Sequence, residues 1–308
     1  MDTKVISFFS YKGGAGRSTL AYNIIPILAE EHIRPSKASP IIVVDMDIDS
    51  CGMSYLLEVE KQVTDENCVQ YLLSKGCGNE RAPSISEDPF FSKLLPVGNK
   101  FGYADNNAVL FLPAKDVKNV DGSSSSNYND ANNPFRRGLE QLVSASEKFN
   151  VPAIILDSAV GNNATANASN QVADVVVCCM RPTKQFVNGT VRFFETLNSA
   201  ESPWGKKPRK IILVPNVVPQ EEMVIDDFWY PGVAVDAIIN EAALLAEKNS
   251  RTGNFYVRDM LGRSEFGIPA LTSFMWREAQ LYTMKELSEP EKLVLERYRK
   301  LSAIINEA

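Results

Sequence analysis

The chain has 308 residues, a formal net charge of -6 and 44% hydrophobic residues. That is enough apolar material for one large buried core and too little positive charge to coat nucleic acid over the whole surface. The single histidine, His32, falls at the end of a helical stretch and argues against Ser-His-Asp catalysis and histidine-rich metal sites, and five cysteines without a CxxC pair give neither a disulfide framework nor a zinc site.

Val5 to Phe9 is the first of six short apolar runs predicted as strands. SYKGGAGRST follows it, and then a helix over Ser18 to Glu31, which Pro26 should kink or loosen by one turn. Glycine at 13, 14 and 16 lets successive N–H groups turn towards phosphate oxygens while the helix dipole favours their charge. Ser18 stands where a phosphate loop puts a hydroxyl on Mg2+. A turn that needs glycine for geometry alone is the blander alternative; strand, loop, basic residue, Ser18-Thr19 and helix in this order favour phosphate.

The second strand, Ile41 to Asp45, ends in IIVVDMDIDS. Asp45 and Asp47 flank Met46 at the strand end, and Asp49 is a spare acid. Residues 76–133 read as an insertion; they contain the strand Val109 to Leu112 and a polar, flexible loop at 119–133 with DGSSSSNYNDANN. A helix over Pro134 to Phe149 leads to the strand Ala153 to Asp157, inside AIILDSAVG. Val175 to Met180 is the next strand, with Cys178 and Cys179 as small buried hydrophobes. Helices over Gln185 to Asn198, Val233 to Lys248 and Glu289 to Asn306, and a strand over Ile211 to Pro215, complete the pattern. Strands that are apolar on both faces and alternate with helices predict an α/β fold: one domain over 1–308 with a doubly wound, mostly parallel sheet and helices on both faces. The opening MDTKVISFFSYKGG lacks the ordered segments of a leader, and no apolar run is long enough to cross a bilayer, so a cytoplasmic location is expected.

Lys12-Gly13-Gly14-Ala15-Gly16-Arg17-Ser18 resembles the deviant Walker A motif of the ParA/MinD family of P-loop ATPases, KGGxGK followed by Ser or Thr. The resemblance implies a P-loop NTPase fold, ATP and Mg2+ as cofactors, and nucleotide contacts from Gly13, Gly14, Ala15, Gly16, Arg17, Ser18 and Thr19. It implies that Lys12 reaches across a dimer interface to the nucleotide of the other subunit. Arg17 stands where the family's second lysine touches the β- and γ-phosphates of its own ATP. Arginine keeps the charge and can grip phosphate bidentately, but it is wide and planar where an ammonium is compact, so hydrolysis is expected to be slow. The DMD element resembles switch I. Asp47 then lies near the attacking water, catalytic together with Lys12, and Asp45 supports it. LDSAVG resembles the Walker B and switch II segment, with Asp157 on Mg2+ through water and Ala159-Val160 in place of the usual small or proline pair. Ser18, Asp157 and Asp45 are the expected metal set. NNATANASNQVAD resembles the helix that carries the switch movement to the dimer face. IILVPNVV places Asn216 where relatives read the purine base, and GIPALTSFMWREA places Pro269 in a loop that closes over it. A turn asparagine and a turn proline are the plainer alternatives for those two.

The function implied is an ATP-dependent homodimer, a slow ATPase, that switches to position or partition a cargo such as DNA or a polar or secretion assembly. The alternative is a nucleotide-binding interaction module with little or no hydrolysis. Lys206-Lys207-Pro208-Arg209-Lys210 leaves nonspecific DNA open as a ligand, although such a run before a strand is more often a solvated turn. The terminal helix carries an apolar stripe at Val294, Tyr298, Leu301 and Ile305 with Glu289, Glu291, Glu296 and Glu307 among its bases, a pattern for packing on the domain rather than for anionic lipid. A protein partner that stimulates or reads the switch is expected, docking through the 76–133 region.

Overall fold

The computed structural model describes residues 2–33, 39–75, 88–116, 133–183, 185–186, 188–190, 209–218, 255–257, 267–275 and 280–307. The expected helix at 233–248, most of the expected loop at 119–133 and much of the basic cluster at 206–210 lie outside them.

Among the described residues nine strands build the sheet. They are β1 (Lys4–Ser10), β2 (Ile41–Asp45), β3 (Leu95–Pro96), β4 (Val109–Leu112), β5 (Ala153–Val160), β6 (Val175–Met180), β7 (Arg209–Val218), β8 (Phe255–Val257) and β9 (Ile268–Pro269). The order across the sheet is β3-β4-β2-β5-β1-β6-β7-β8, with β9 pairing β7 off that path. All pairs are parallel except β3 against β4. β1, β5 and β2 therefore lie side by side in the centre, and their carboxyl ends open at one rim, where ligands bind in open parallel sheets.

Strand alternation divides the core into two layers. Ile6, Phe8, Val43 and Ile155 face a layer covered by α1 (Arg17–Ile33) and by the C-terminal helix. Phe9, Val44, Leu156 and Val176 face the other layer, under α3 (Val69–Lys75), α5 (Pro134–Lys148) and α6 (Ala164–Val172). Two short helices, α2 (Gly52–Leu56) and α4 (Asp88–Phe91), follow β2 and precede β3. Cys178 and Cys179 are buried one on each side, as small core residues.

The C-terminal helix α7 (Glu289–Asn306) starts at a cap in which the Glu291 carboxylate accepts from both the N–H and the hydroxyl of Ser288, at 2.9 and 2.8 Å. Its stripe of Val294, Tyr298, Leu301 and Ile305 is buried in the α1 layer, each residue worth ~1.5–3 kcal/mol by area alone. The packing predicted from its spacing is what forms.

Two sequence expectations need amendment. α1 runs through Pro26 from Arg17 to Ile33, and the Tyr22 carbonyl that a proline ring deprives of its helical donor instead accepts from Gln280 Nε2 at 2.7 Å. β5 continues three residues past Asp157 to Val160, because β1 stays paired with it through a bulge and Gly161 N–H donates to the Ser10 carbonyl at 3.0 Å.

Candidate functional site

The site is the rim where β1, β2 and β5 end. Parallel register sets Asp45 of β2 directly opposite Asp157 of β5, and Asp157 opposite Phe8 of β1, so both acids stand on the α1 face of the sheet. β1 leads into the loop Tyr11–Gly16. Gly14 and Gly16 take φ of +82° and +73°, values that glycine adopts without strain. α1 begins at once, with Leu20 N–H on the Gly16 carbonyl at 2.9 Å. Gly13 and Gly14 are exposed, Lys12 is half-buried beside them, and Ala15 is buried.

Arg17 does not follow the loop outwards. Its side chain is 5% exposed and lies between the two strand ends, donating from Nε to Asp157 Oδ1 and from Nη2 to Asp47 Oδ2, both at 2.8 Å. Nη2 also donates to Ser18 Oγ at 3.1 Å. β2 stops at Asp45, so Asp47 lies in the turn beyond the strand and not on its face. Asp45 Oδ1 accepts the Asp47 N–H at 3.2 Å, and the turn carries Asp47 round to the arginine. Asp45 Oδ2 accepts from Ser54 N–H at 3.0 Å and from Ser54 Oγ at 2.9 Å. Asp49 is exposed and outside the cluster.

Two polar atoms in this cluster are buried without a hydrogen-bond partner, Arg17 Nη1 and Asp157 Oδ2. Burial works against the charge on Arg17, but Asp157 and Asp47 outweigh it and raise its pKa. Burial pushes the Asp45 carboxyl up to about 8, with the neighbouring Asp157 charge adding to the effect. Asp157 is also raised by burial, with the Arg17 guanidinium pulling the other way.

Mg2+ demands about six oxygens in near-octahedral array. Ser18 Oγ, Asp47 Oδ2 and Asp157 Oδ1 all touch one guanidinium, and both Asp45 oxygens are taken by Asp47 and Ser54. Among the described residues no group of three or more His, Cys, Asp or Glu side chains is arranged to hold a metal ion. Of the expected set of Ser18, Asp157 and Asp45 only Asp157 Oδ2 has no partner among the described residues, and one such oxygen beside a fixed guanidinium does not make a fit for the ion.

Asn216 does reach the site, in a way its sequence position did not suggest. Its Nδ2 donates to the Ala15 carbonyl at 2.8 Å and to the Gly16 carbonyl at 3.2 Å, so it straps β7 to the phosphate loop from beneath. A Cβ on Gly16 would lie 2.8 Å from that same Nδ2, which makes glycine necessary there twice over. Pro269 sits on β9, paired beside Asn216 and Val218, and is half-buried. Thr19 is half-buried, and its carbonyl accepts from Asn23 Nδ2 at 3.0 Å. Of the expected site residues, Arg17, Ser18, Asp45, Asp47 and Asp157 form one connected cluster, and Asn216 joins the loop next to it.

No family model and no curated protein sequence matches this chain. Solved structures do. MinD of Aquifex aeolicus, in a complex with MinC, superposes with a TM-score of 0.59 at 18% identity over 98% of this chain and 96% of that one. MinD of Pyrococcus horikoshii complexed with Mg-ADP gives 0.56 at 14% identity over 99% and 96%. The fold is that of MinD. A plasmid partition protein of Borrelia burgdorferi bound to AMPPNP gives 0.55 at 14% identity over the full length of both chains. Among the described residues the glycine loop lies at the first strand–helix junction of this fold. Among the described residues no helix is long and apolar enough to cross a membrane.

Proposed function

We propose that this chain is an ATP-binding switch of the ParA/MinD kind, in which nucleotide joins two copies and its loss parts them, so that a bound cargo is positioned in space. The observation that carries this reading is the phosphate loop Lys12–Ser18 at the carboxyl end of β1, with the Asp47 and Asp157 carboxylates converging on its arginine, in a fold shared with MinD and a plasmid partition protein. Lys12 is held by neither acid in the cluster and is the basic residue left for a second copy's nucleotide. Binding shifts such a dimer only by its differential affinity for the paired state, and a γ-phosphate contact made in trans supplies that difference. A protein partner reading the paired state fits the company MinD keeps with MinC in the related structure.

Light scattering with and without a nonhydrolysable ATP analogue tests this. Wild type is expected to double in mass when nucleotide is added, and Lys12→Ala to stay monomeric while still binding it. A wild type that binds nucleotide but never pairs would overturn the reading.

The arginine favours a second reading within the first, a switch with little hydrolysis. Asp47, the residue expected to attend the attacking water, spends a carboxylate oxygen on Arg17. ATP turnover by wild type and Arg17→Lys separates the two: hydrolysis that appears only in Arg17→Lys supports a suppressed catalytic step, and rapid turnover by wild type excludes it.

A further inference from the structure

We propose that Arg17 takes the electrostatic place of a metal ion in this site, so that a nucleoside triphosphate binds here without needing Mg2+. The inference rests on the reading of the loop as a nucleotide site and adds to it what neutralises the charge there.

The guanidinium is a planar fork with five N–H bonds in fixed directions. Here it spends one edge, Nε and Nη2, on two carboxylates that belong to different strands, and a further Nη2 contact on Ser18 Oγ. Those three oxygens come from the residues a phosphate-loop enzyme uses to hold or attend its metal. A cation therefore already joins the loop, the β2 end and the β5 end, and it is covalently part of the chain. For Mg2+ to use the same oxygens, Arg17 must first let go of both Asp47 and Asp157. A divalent ion sharing the oxygens with the guanidinium would sit next to a fixed positive charge in a site that is almost closed to water, where repulsion is poorly screened.

The other half of the fork has no use inside the chain. Nη1 is buried and unpartnered in a side chain that is 5% exposed. A buried donor of this kind is costly unless a ligand satisfies it, and a phosphate oxygen is the strongest natural acceptor for an arginine. Arg17 opens α1 immediately after the glycine loop, so a phosphate on the loop N–H groups lies next to this residue. One side chain can then hold the switch acids with Nε and Nη2 and meet the phosphate with Nη1. A lysine cannot do both, because its ammonium is a single point of charge. In Arg17→Lys the acids should be returned to a metal.

Isothermal titration of ATP in Mg2+ and in EDTA tests the proposal directly. For wild type the two dissociation constants are expected to agree within about threefold, and for Arg17→Lys binding should be at least about tenfold tighter with Mg2+. Mg2+ alone, without nucleotide, should leave the Tm of wild type unchanged, a measurement that needs no variant to fold. Wild-type binding that falls tenfold or more in EDTA, or a saturable rise in Tm with Mg2+ alone, overturns the metal-like part played by Arg17 and leaves the nucleotide reading standing. Absence of ATP binding in both buffers overturns both.

Discussion

Asn216 shows how one side chain changes meaning between sequence and structure. As an asparagine just past a strand it invites a base-reading part, yet its amide is committed to the Ala15 and Gly16 carbonyls. Under the proposed nucleotide reading, a brace of this sort would hold the loop N–H groups ready for phosphate and be indifferent to the base. Asn216→Ala is therefore expected to weaken ATP, GTP and inorganic tripolyphosphate alike, by about tenfold for the loss of one or two buried hydrogen bonds. Competition binding with the three ligands measures this. If tripolyphosphate is unaffected while ATP weakens, the amide reads the base after all. The five residues of the acid and arginine cluster were legible in the sequence as members of one site, because glycine spacing and strand ends mark them locally. The destination of the Arg17 side chain was not. It depends on three strand ends meeting in register and on a long side chain choosing carboxylates over solvent, and no spacing within KGGAGRS encodes that. Asn216 was out of reach for a similar reason, since its partners lie about two hundred residues away in the chain.

At the scale of elements, α1 carries the phosphate loop, and its continuity through Pro26 depends on a loop from the far end of the chain. Gln280 Nε2 donates to the Tyr22 carbonyl, Gln280 Oε1 accepts the Tyr282 N–H at 2.8 Å, and Leu281 N–H donates to Asn23 Oδ1 at 2.9 Å. The Tyr103 hydroxyl donates to the Pro26 carbonyl itself. Gln280→Ala removes the buried hydrogen bond from Gln280 Nε2 to the Tyr22 carbonyl and should cost about 1–3 kcal/mol. Pro26→Ala supplies a backbone N–H that can serve the same carbonyl, so in that background Gln280→Ala should cost distinctly less. A double-mutant cycle by urea denaturation reads the coupling, and simple additivity would show that the two do not share the carbonyl. The kink or loosened turn expected at Pro26 follows from proline chemistry taken alone; what the sequence does not show is that Gln280 supplies a donor to the Tyr22 carbonyl. Elsewhere the apolar runs located β1, β2, β4, β5, β6 and β7 well, since strands buried on both faces announce themselves by composition. The two-residue β3 and β9 carry no such signal, being defined by their neighbours' free edges.

For the molecule as a whole, the question is what α7 does for the face that carries the site. α1 and α7 share one core layer over the sheet, and α7 is fastened at its far end by lysines from two strands. Lys4 Nζ of β1 donates to the carbonyls of Ile305 and Asn306 at 2.7 and 2.9 Å, and Lys210 Nζ of β7 to that of Ile304 at 3.3 Å. Burial, then the nearby Lys210 charge, lowers the Lys4 pKa, while the negative end of the helix dipole gives both cations a reason to be there. Lys210 is the last residue of the basic cluster 206–210, and its ammonium is turned inwards to a helix end. The stripe on α7 has the spacing of a membrane-binding helix, but Tyr298 and its neighbours are sealed against the sheet. If it holds the fold together, Tyr298→Ala should lower the unfolding free energy by about 3–5 kcal/mol, as removal of a large buried side chain does. If instead it serves lipid, the same substitution should spare stability and abolish sedimentation with anionic vesicles. We expect the first outcome, with no vesicle binding by wild type either. The side chain that anchors α7 to the sheet cannot also insert into a bilayer without giving up the layer that supports α1 and, through it, the phosphate loop.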